Sequence, residues 1–442
     1  MWQSLGFSQS PYDSNPLRAV QEDVDLLVGR DKEAIALYTV LESSRQGIYI
    51  ISGTPGVGKT SFLNVHQYLM ESGKSKFGPR ILAARKLCPV QPNDKPLDIA
   101  LRATRSVCES IQRFCDLYSK RLPDQTQKVA DWLGHKPTSG YQIGLTILGW
   151  GGSIGRNVNI PSVNECSFEH IQDVLTCIVS EAVQTLNVDG VIIALDNIEN
   201  LEEADLADTL ITLRDTFFTI PNVWWILIGQ SGLGSLIHTL NPRIAQRLSG
   251  TPLELMPISS MELHEAIEKR VNRFHGSEGG KAPLPSAIHT HLYDASSGEL
   301  RFVLKYSESI CLRVVQSART RLVESDPKLD PSQVNSAMGT VLSRGIIPAS
   351  IAQHWLKVIV KEEIKGLFLK PKEVQVLKSI AKTKGTRPRD YRKHSIKTMQ
   401  DFSGNYLSKL HKQHLLVRHQ EGRSVFYRLG GIAAIAAEYD LL

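Results

Sequence analysis

Hydrophobic positions along the chain fall into three kinds of pattern. Residues 48–52, 191–196 and 222–229 each hold an apolar run rich in β-branched and aromatic side chains, broken only at an end by Ser52, Asp196 or Asn222. They are too short for helices and predict strands buried on both faces. Residues 61–71 and 97–118 repeat apolar positions at helical spacing and predict amphipathic helices, as do residues 351–369. Residues 141–160 alternate instead: Ile143, Leu145 and Ile147, then Ile154, Val158 and Ile160, with Gly144, Gly149, Gly151, Gly152 and Gly155 among them. That spacing excludes a helix and predicts a glycine-rich hairpin. Such a loop reads as a plain connection, and Arg156 is the one charged residue it carries.

Towards the C-terminus, Pro371 opens another helical stretch that Gly385 ends, and a basic run from Arg387 to Lys393 follows. Residues 405–412 predict a further helix ending near Leu415. Residues 416–420 and 424–429 predict a two-stranded wing around Arg423. Helices and a hairpin in this order suggest a winged helix–turn–helix, with Leu407 and Leu410 inward and Asn405, Ser408, Lys409 and Lys412 on the groove-facing side. The same module also serves elsewhere as a protein-docking or autoinhibitory unit.

The length of 442 residues implies two to three domains at about 150 residues each. No apolar run approaches the roughly 20 residues of a membrane-spanning helix. The first residues carry neither a basic stretch nor an apolar one, so the expected location is the cytoplasm, with no membrane partner. Net charge is +6, yet residues 361–429 hold 17 Lys and Arg against six Asp and Glu, a surplus of 11. The rest of the chain is therefore mildly acidic. A basic block this localised is the footprint of a polyanion partner, here duplex DNA.

Six scattered cysteines show no metal or disulfide spacing, and Cys108 and Cys115, seven apart, predict buried thiols on one helix face. His289 and His291 lack a third ligand and read as surface residues.

The first apolar run leads into Gly53-Thr54-Pro55-Gly56-Val57-Gly58-Lys59-Thr60-Ser61, and a predicted helix follows. Strand, G-x-x-x-x-G-K-[ST] loop and helix together form a phosphate cradle: glycines let successive N–H groups face phosphate oxygens, Lys59 reaches the β- and γ-phosphates, and Thr60 offers a hydroxyl to Mg²⁺. Asp196, ending the second run, supplies the acidic partner for Mg²⁺, and Glu199 is placed to polarise an attacking water. Gln230, at the tip of the third run, is positioned to touch the γ-phosphate. Arg243 and Arg247, four apart, read either as surface arginines on one helical face or as a finger reaching a neighbouring subunit's site. The guanine-reading N-x-x-D type signature N-K-x-D is missing, so ATP is the expected nucleotide.

In this order the motifs resemble the AAA+ ATPases, and within them the origin-recognition and initiator group with related bacterial ATPases. Leu27-Val28-Gly29-Arg30-Asp31-Lys32-Glu33 looks like that group's adenine-contacting entry, carried here by Gly29 and Arg30. Gly53 to Thr60 matches Walker A, Asp196 matches Walker B, Gln230 falls at sensor 1, and Arg243 or Arg247 at the arginine finger. Ser297-Gly298-Glu299-Leu300-Arg301 resembles sensor 2, whose arginine is Arg301. The resemblance implies an α/β fold: a three-layer parallel-sheet ATPase core over residues 1–255 including the 141–160 hairpin, a helical lid over 256–348, and a linker helix with a winged helix over 349–442. It implies an ATPase using ATP and Mg²⁺, a homo-oligomer formed with ATP, DNA binding, and an unidentified protein partner to be loaded or activated. Walker B departs from the family, with Asn197 where Asp-Glu is usual and acid returning at Glu199. That departure implies slow hydrolysis and also resembles STAND-type nucleotide-gated switches, in which a winged helix acts as a protein clamp.

Overall fold

The computed structural model describes residues 2–83, 88–134, 141–146, 155–160, 166–275, 280–325, 346–421 and 424–442. Contacts divide the chain into two compact units. One comprises Leu17–Thr54 and Lys59–Met256; the other comprises Met1–Pro16, Pro55–Gly58 and Pro257–Leu442. The first 16 residues thus group with the C-terminal half, a division that no local pattern in the sequence announces.

The first unit is built on a parallel sheet. Its strands are β1 (Gly47–Gly53), β2 (Ile81–Ala83), β3 (Cys88–Pro89), β6 (Gly190–Asp196), β7 (Val223–Gly229) and β8 (Leu253–Leu255). They lie in the order β2-β6-β7-β1-β8, with β3 pairing β6 beyond β2. All three apolar runs are therefore strands. Every residue of β7 is buried, as only a strand covered on both faces can be. The 141–160 segment pairs as an antiparallel hairpin, β4 (Tyr141–Thr146) with β5 (Gly155–Ile160). The side chain of Arg156 lies outside the described residues.

The covering helices follow from their sequences. Pro96–Leu117 has proline in its first turn, and the Asp98 carboxylate accepts the Lys95 N–H at 3.0 Å, satisfying a donor the helix cannot. Its stripe of Ile99, Ala103, Val107, Ile111 and Phe114 enters the same core as Trp225 and Ile193. Cys108 and Cys115 are buried on this helix, and all six cysteines are unbridged. Phe168–Leu186 starts at Ser167, whose hydroxyl accepts the His170 N–H, and stops at Asn187, which turns left-handed at φ 57°.

The second unit is helical before it becomes mixed. Ser260–Phe274, Ser286–Ala295, Leu300–Ser325 and Ala349–Gly366 precede Pro371–Thr383. A 3₁₀ helix then spans Pro388–His394, where the sequence showed only a basic run. Met399–Asp401 continues through a π-helical stretch, Phe402–Ser408, into Lys409–Lys412. The wing is β9 (Leu416–Glu421) paired with β10 (Ser424–Leu429), and a last helix, Gly431–Glu438, follows it. Arg423 lies outside the described residues.

Two expectations fail in this unit. Lys409 does not face a groove: its ammonium meets Glu373 Oε1 at 2.5 Å, and the Glu373 side chain is only 5 % exposed. A buried carboxylate needs a cation, and that need outweighs the helical-wheel argument. His289 is not a surface residue either. It is 2 % exposed, its Nε2 lies 3.1 Å from the Tyr12 hydroxyl, and burial pulls its pKa down to about 4. Tyr12, itself fully buried, also accepts the Leu284 N–H at 3.2 Å. Among the described residues no helix is long and apolar enough to cross a membrane.

Candidate functional site

Parallel pairing fixes where the chemistry gathers. Ser52 pairs with Gly229 and Leu195 pairs with Leu227, so β1, β7 and β6 end at one edge of the sheet. Loops leaving the carboxyl ends of parallel strands form the usual ligand crevice of an open α/β sheet. Strand β7 lies between β1 and β6, which sets the Gln230 tip between Lys59 and Asp196. The sequence foretold the three strands but not this order.

The loop after β1 curls through two left-handed glycines, Gly56 at φ 72° and Gly58 at φ 100°. A side chain would strain either position, which is why the cradle needs glycine there. Val57 between them is buried, while Pro55 is exposed. Lys59 opens the helix Lys59–Ser72, and its ammonium donates to Gly53 O at 2.8 Å and Thr54 O at 3.1 Å. The Ser61 hydroxyl accepts the Leu17 N–H at 3.0 Å, so it anchors the entry segment. Gly29 is left-handed at φ 68°, and Arg30 is 6 % exposed. The Arg30 guanidinium donates to Glu33 Oε1 and to Met256 O, both at 2.9 Å, which ties the entry turn to the segment after β8.

At the end of β6, Asp196 is half-buried and its Oδ1 accepts the Asn197 N–H at 2.9 Å. Glu199 sits within reach of the same groups. Partial desolvation raises its pKa; Lys59 and a hydrogen bond from Gln230 pull the other way, and Asp196 adds to the rise. Gly229 makes room for Leu233 and for Glu199: a Cβ there would lie 2.7 Å from Leu233 Cδ2 and 3.1 Å from Glu199 Oε2. Lys59, Asp196, Glu199 and Gln230 are thus brought together. In the sequence Gly229 reads only as the end of a buried strand, although its place beside a polar residue was the available signal.

The hydroxyl of Thr60, in the first turn after the cradle, and the carboxylate of Asp196 are hard oxygen donors. Such donors suit Mg²⁺, which keeps several waters and takes few protein ligands.

The remaining candidates are carried by other elements. The helix Pro242–Ala245 is only four residues long, so Arg243 lies on it and Arg247 in the turn beyond. Both are exposed and act on Asp215, whose main partner is Arg214. Arg301 is exposed at the start of Leu300–Ser325, just after left-handed Ser297 and Gly298. In the basic module, Arg387, Arg389 and Lys393 line a depression of about 300 Å³ with Thr386, Asp390 and Phe426. Lys384, Lys412 and Arg418 are exposed nearby in sequence.

No family model and no curated protein matches the chain. Among solved structures it is similar to the Aeropyrum pernix ORC2 protein in its ADPNP–ADP complexes, at 14 % identity and a TM-score of 0.48, with 98 % of each chain covered. The Aeropyrum pernix ORC1 protein in complex with DNA aligns at 16 % identity and a TM-score of 0.39, over 96 % of this chain and 95 % of that one. Thermotoga maritima RuvB aligns at 14 % identity and a TM-score of 0.39, over 93 % and 96 %. The first unit of the chain is a parallel-sheet α/β fold with the glycine loop at the carboxyl end of β1.

Proposed function

We propose that the protein is an ATPase of the AAA+ initiator type that binds duplex DNA through its basic C-terminal module. The observation that carries this reading is the convergence of Lys59, Asp196, Glu199 and Gln230 at the carboxyl edge of β1, β6 and β7. Lys59 exchanges its loop carbonyls for the β- and γ-phosphates. Glu199 takes a proton from the water whose oxygen attacks the γ-phosphorus, while the β–γ bridging oxygen leaves with ADP. Gln230 holds the Glu199 carboxylate in place. Thr60 and Asp196 would hold Mg²⁺, which would neutralise phosphate charge when bound. Arg30, spent on Glu33 and Met256 O, shapes the adenine side through backbone placement. Arg243 or Arg247 completes a neighbouring subunit's site, and nucleotide-dependent oligomers on DNA load or activate a protein partner.

The test is ATP turnover with and without duplex DNA, at low and moderate salt. Turnover stimulated by DNA and lost in Lys59→Ala is the expected result. If each protomer neutralises about four phosphates, the log of DNA affinity falls with log salt at a slope near −3.6. Turnover indifferent to DNA, with no salt-sensitive binding, would overturn the DNA reading and favour a module that clamps protein.

A pH profile gives a second check. Glu199 acts as a base only when ionised, and desolvation raises its pKa above the ordinary carboxylate value. Turnover at saturating ATP is therefore lost as pH falls through that raised value. Gln230→Ala removes a hydrogen bond that favours the carboxylate, so its acid limb moves to higher pH. A limb that stays put in Gln230→Ala would separate the two side chains.

A further inference from the structure

The acid of this site stands three residues after the strand aspartate, with a non-acidic residue directly after that aspartate. The backbone explains how the acid still arrives. Asn197 is left-handed, at φ 58° and ψ 42°. Asparagine enters this region more readily than other residues with a Cβ, and a β-branched residue is a genuine outlier there. The turn starts a 3₁₀ helix, Ile198–Asn200, in which the Asn200 N–H returns to Asn197 O at 3.0 Å. Both flanks of Glu199 are then fixed. Ile198 is 2 % exposed within the core, and the Asn200 amide donates to Val90 O at 2.8 Å. Glu199 alone of the three is left to face Gly229 and Gln230. The Asn197 side chain is exposed and caps nothing, while its N–H orients Asp196.

We propose that Asn197 is a positioning residue: its left-handed backbone, not its carboxamide, carries Glu199 into the place of the general base. The inference rests on the ATPase reading above and adds which residue makes the displaced acid competent. An extended or right-handed residue at 197 would send the chain onward without the reversal, turning Ile198 out of the core or Glu199 away from Gln230.

The experiment compares Asn197→Gly, Asn197→Val and Asn197→Glu in the full chain, measuring kcat, affinity for a fluorescent ATP analogue and the thermal midpoint. Glycine keeps the left-handed turn and lacks the carboxamide, so kcat within about twofold of wild type is expected. Valine resists the turn, so kcat is expected to fall more than about tenfold with analogue affinity within about twofold, because Lys59 and the glycine loop are untouched. Asn197→Glu, which puts an acid directly after Asp196, is expected not to restore turnover to Glu199→Gln. A loss of kcat in Asn197→Gly would overturn the proposal and assign the work to the carboxamide, and rescue by Asn197→Glu would overturn it too. The glycine and glutamate arms decide the matter even if the valine variant fails to fold. Failure of the ATPase reading looks different: wild type itself would show no turnover dependent on Lys59.

Discussion

Glu199→Gln lowers kcat for ATP about 10²–10⁴-fold, the range typical of losing a general base, while nucleotide affinity stays near wild type. The replacement is isosteric. Glutamine keeps the contact with Gln230 and the fit against Gly229, and it removes only the capacity to take a proton. Lys59→Ala differs in kind, because it removes the cation that meets the phosphates and so weakens binding itself. Stopped-flow binding and steady-state turnover on the same preparations separate the two. If Glu199→Gln turns over as fast as wild type, the base is elsewhere and the raised pKa of Glu199 has no catalytic meaning. An affinity loss equal to the kcat loss would instead make Glu199 a binding residue.

What could be read in the sequence was whatever depends on neighbours in the chain. The runs at 48–52, 191–196 and 222–229 are strands because β-branched residues suit a doubly covered sheet, and the 141–160 alternation is a hairpin for equally local reasons. The glycine loop was legible because phosphate binding fixes residue type and spacing within eight positions. Strand order was not, since nothing in β7 states that it lies between β1 and β6. The side chains read differently are those whose partners are distant. Lys409 turns to Glu373 and His289 meets Tyr12. Each is a polar group near the interior finding the partner that burial demands, a constraint that helical periodicity does not contain. Asn197 lies between these cases. Its residue type hints at a left-handed turn, but the consequence for Glu199 depends on Ile198 and Asn200 finding their places in the folded core.

Distant pairing also sets the largest expected loss of stability. Glu71 stands in the last turns of the helix Lys59–Ser72 and is fully buried. Its carboxylate is held in a fork by Arg113, with NH1 to Oε1 at 3.1 Å and NH2 to Oε2 at 2.9 Å. Arg113→Ala takes the guanidinium away from that buried carboxylate, and removing one partner of a buried pair costs about 3–5 kcal/mol. Since the Arg113 side chain is 31 % exposed, the lower end of that range is expected. With a urea dependence of about 2–3 kcal/mol per molar, the midpoint should fall by roughly 1 M. The double variant Glu71→Leu with Arg113→Met removes both charges and should recover most of the loss, because apolar groups of similar size often replace a buried pair without penalty. A loss below about 1 kcal/mol in Arg113→Ala would place the pair among surface bridges. The expected size has a functional edge. Glu71 and Lys59 lie at opposite ends of one helix, so the pair that secures the far end also steadies the phosphate cradle, and Arg113→Ala should weaken ATP binding at urea concentrations that leave wild type untouched.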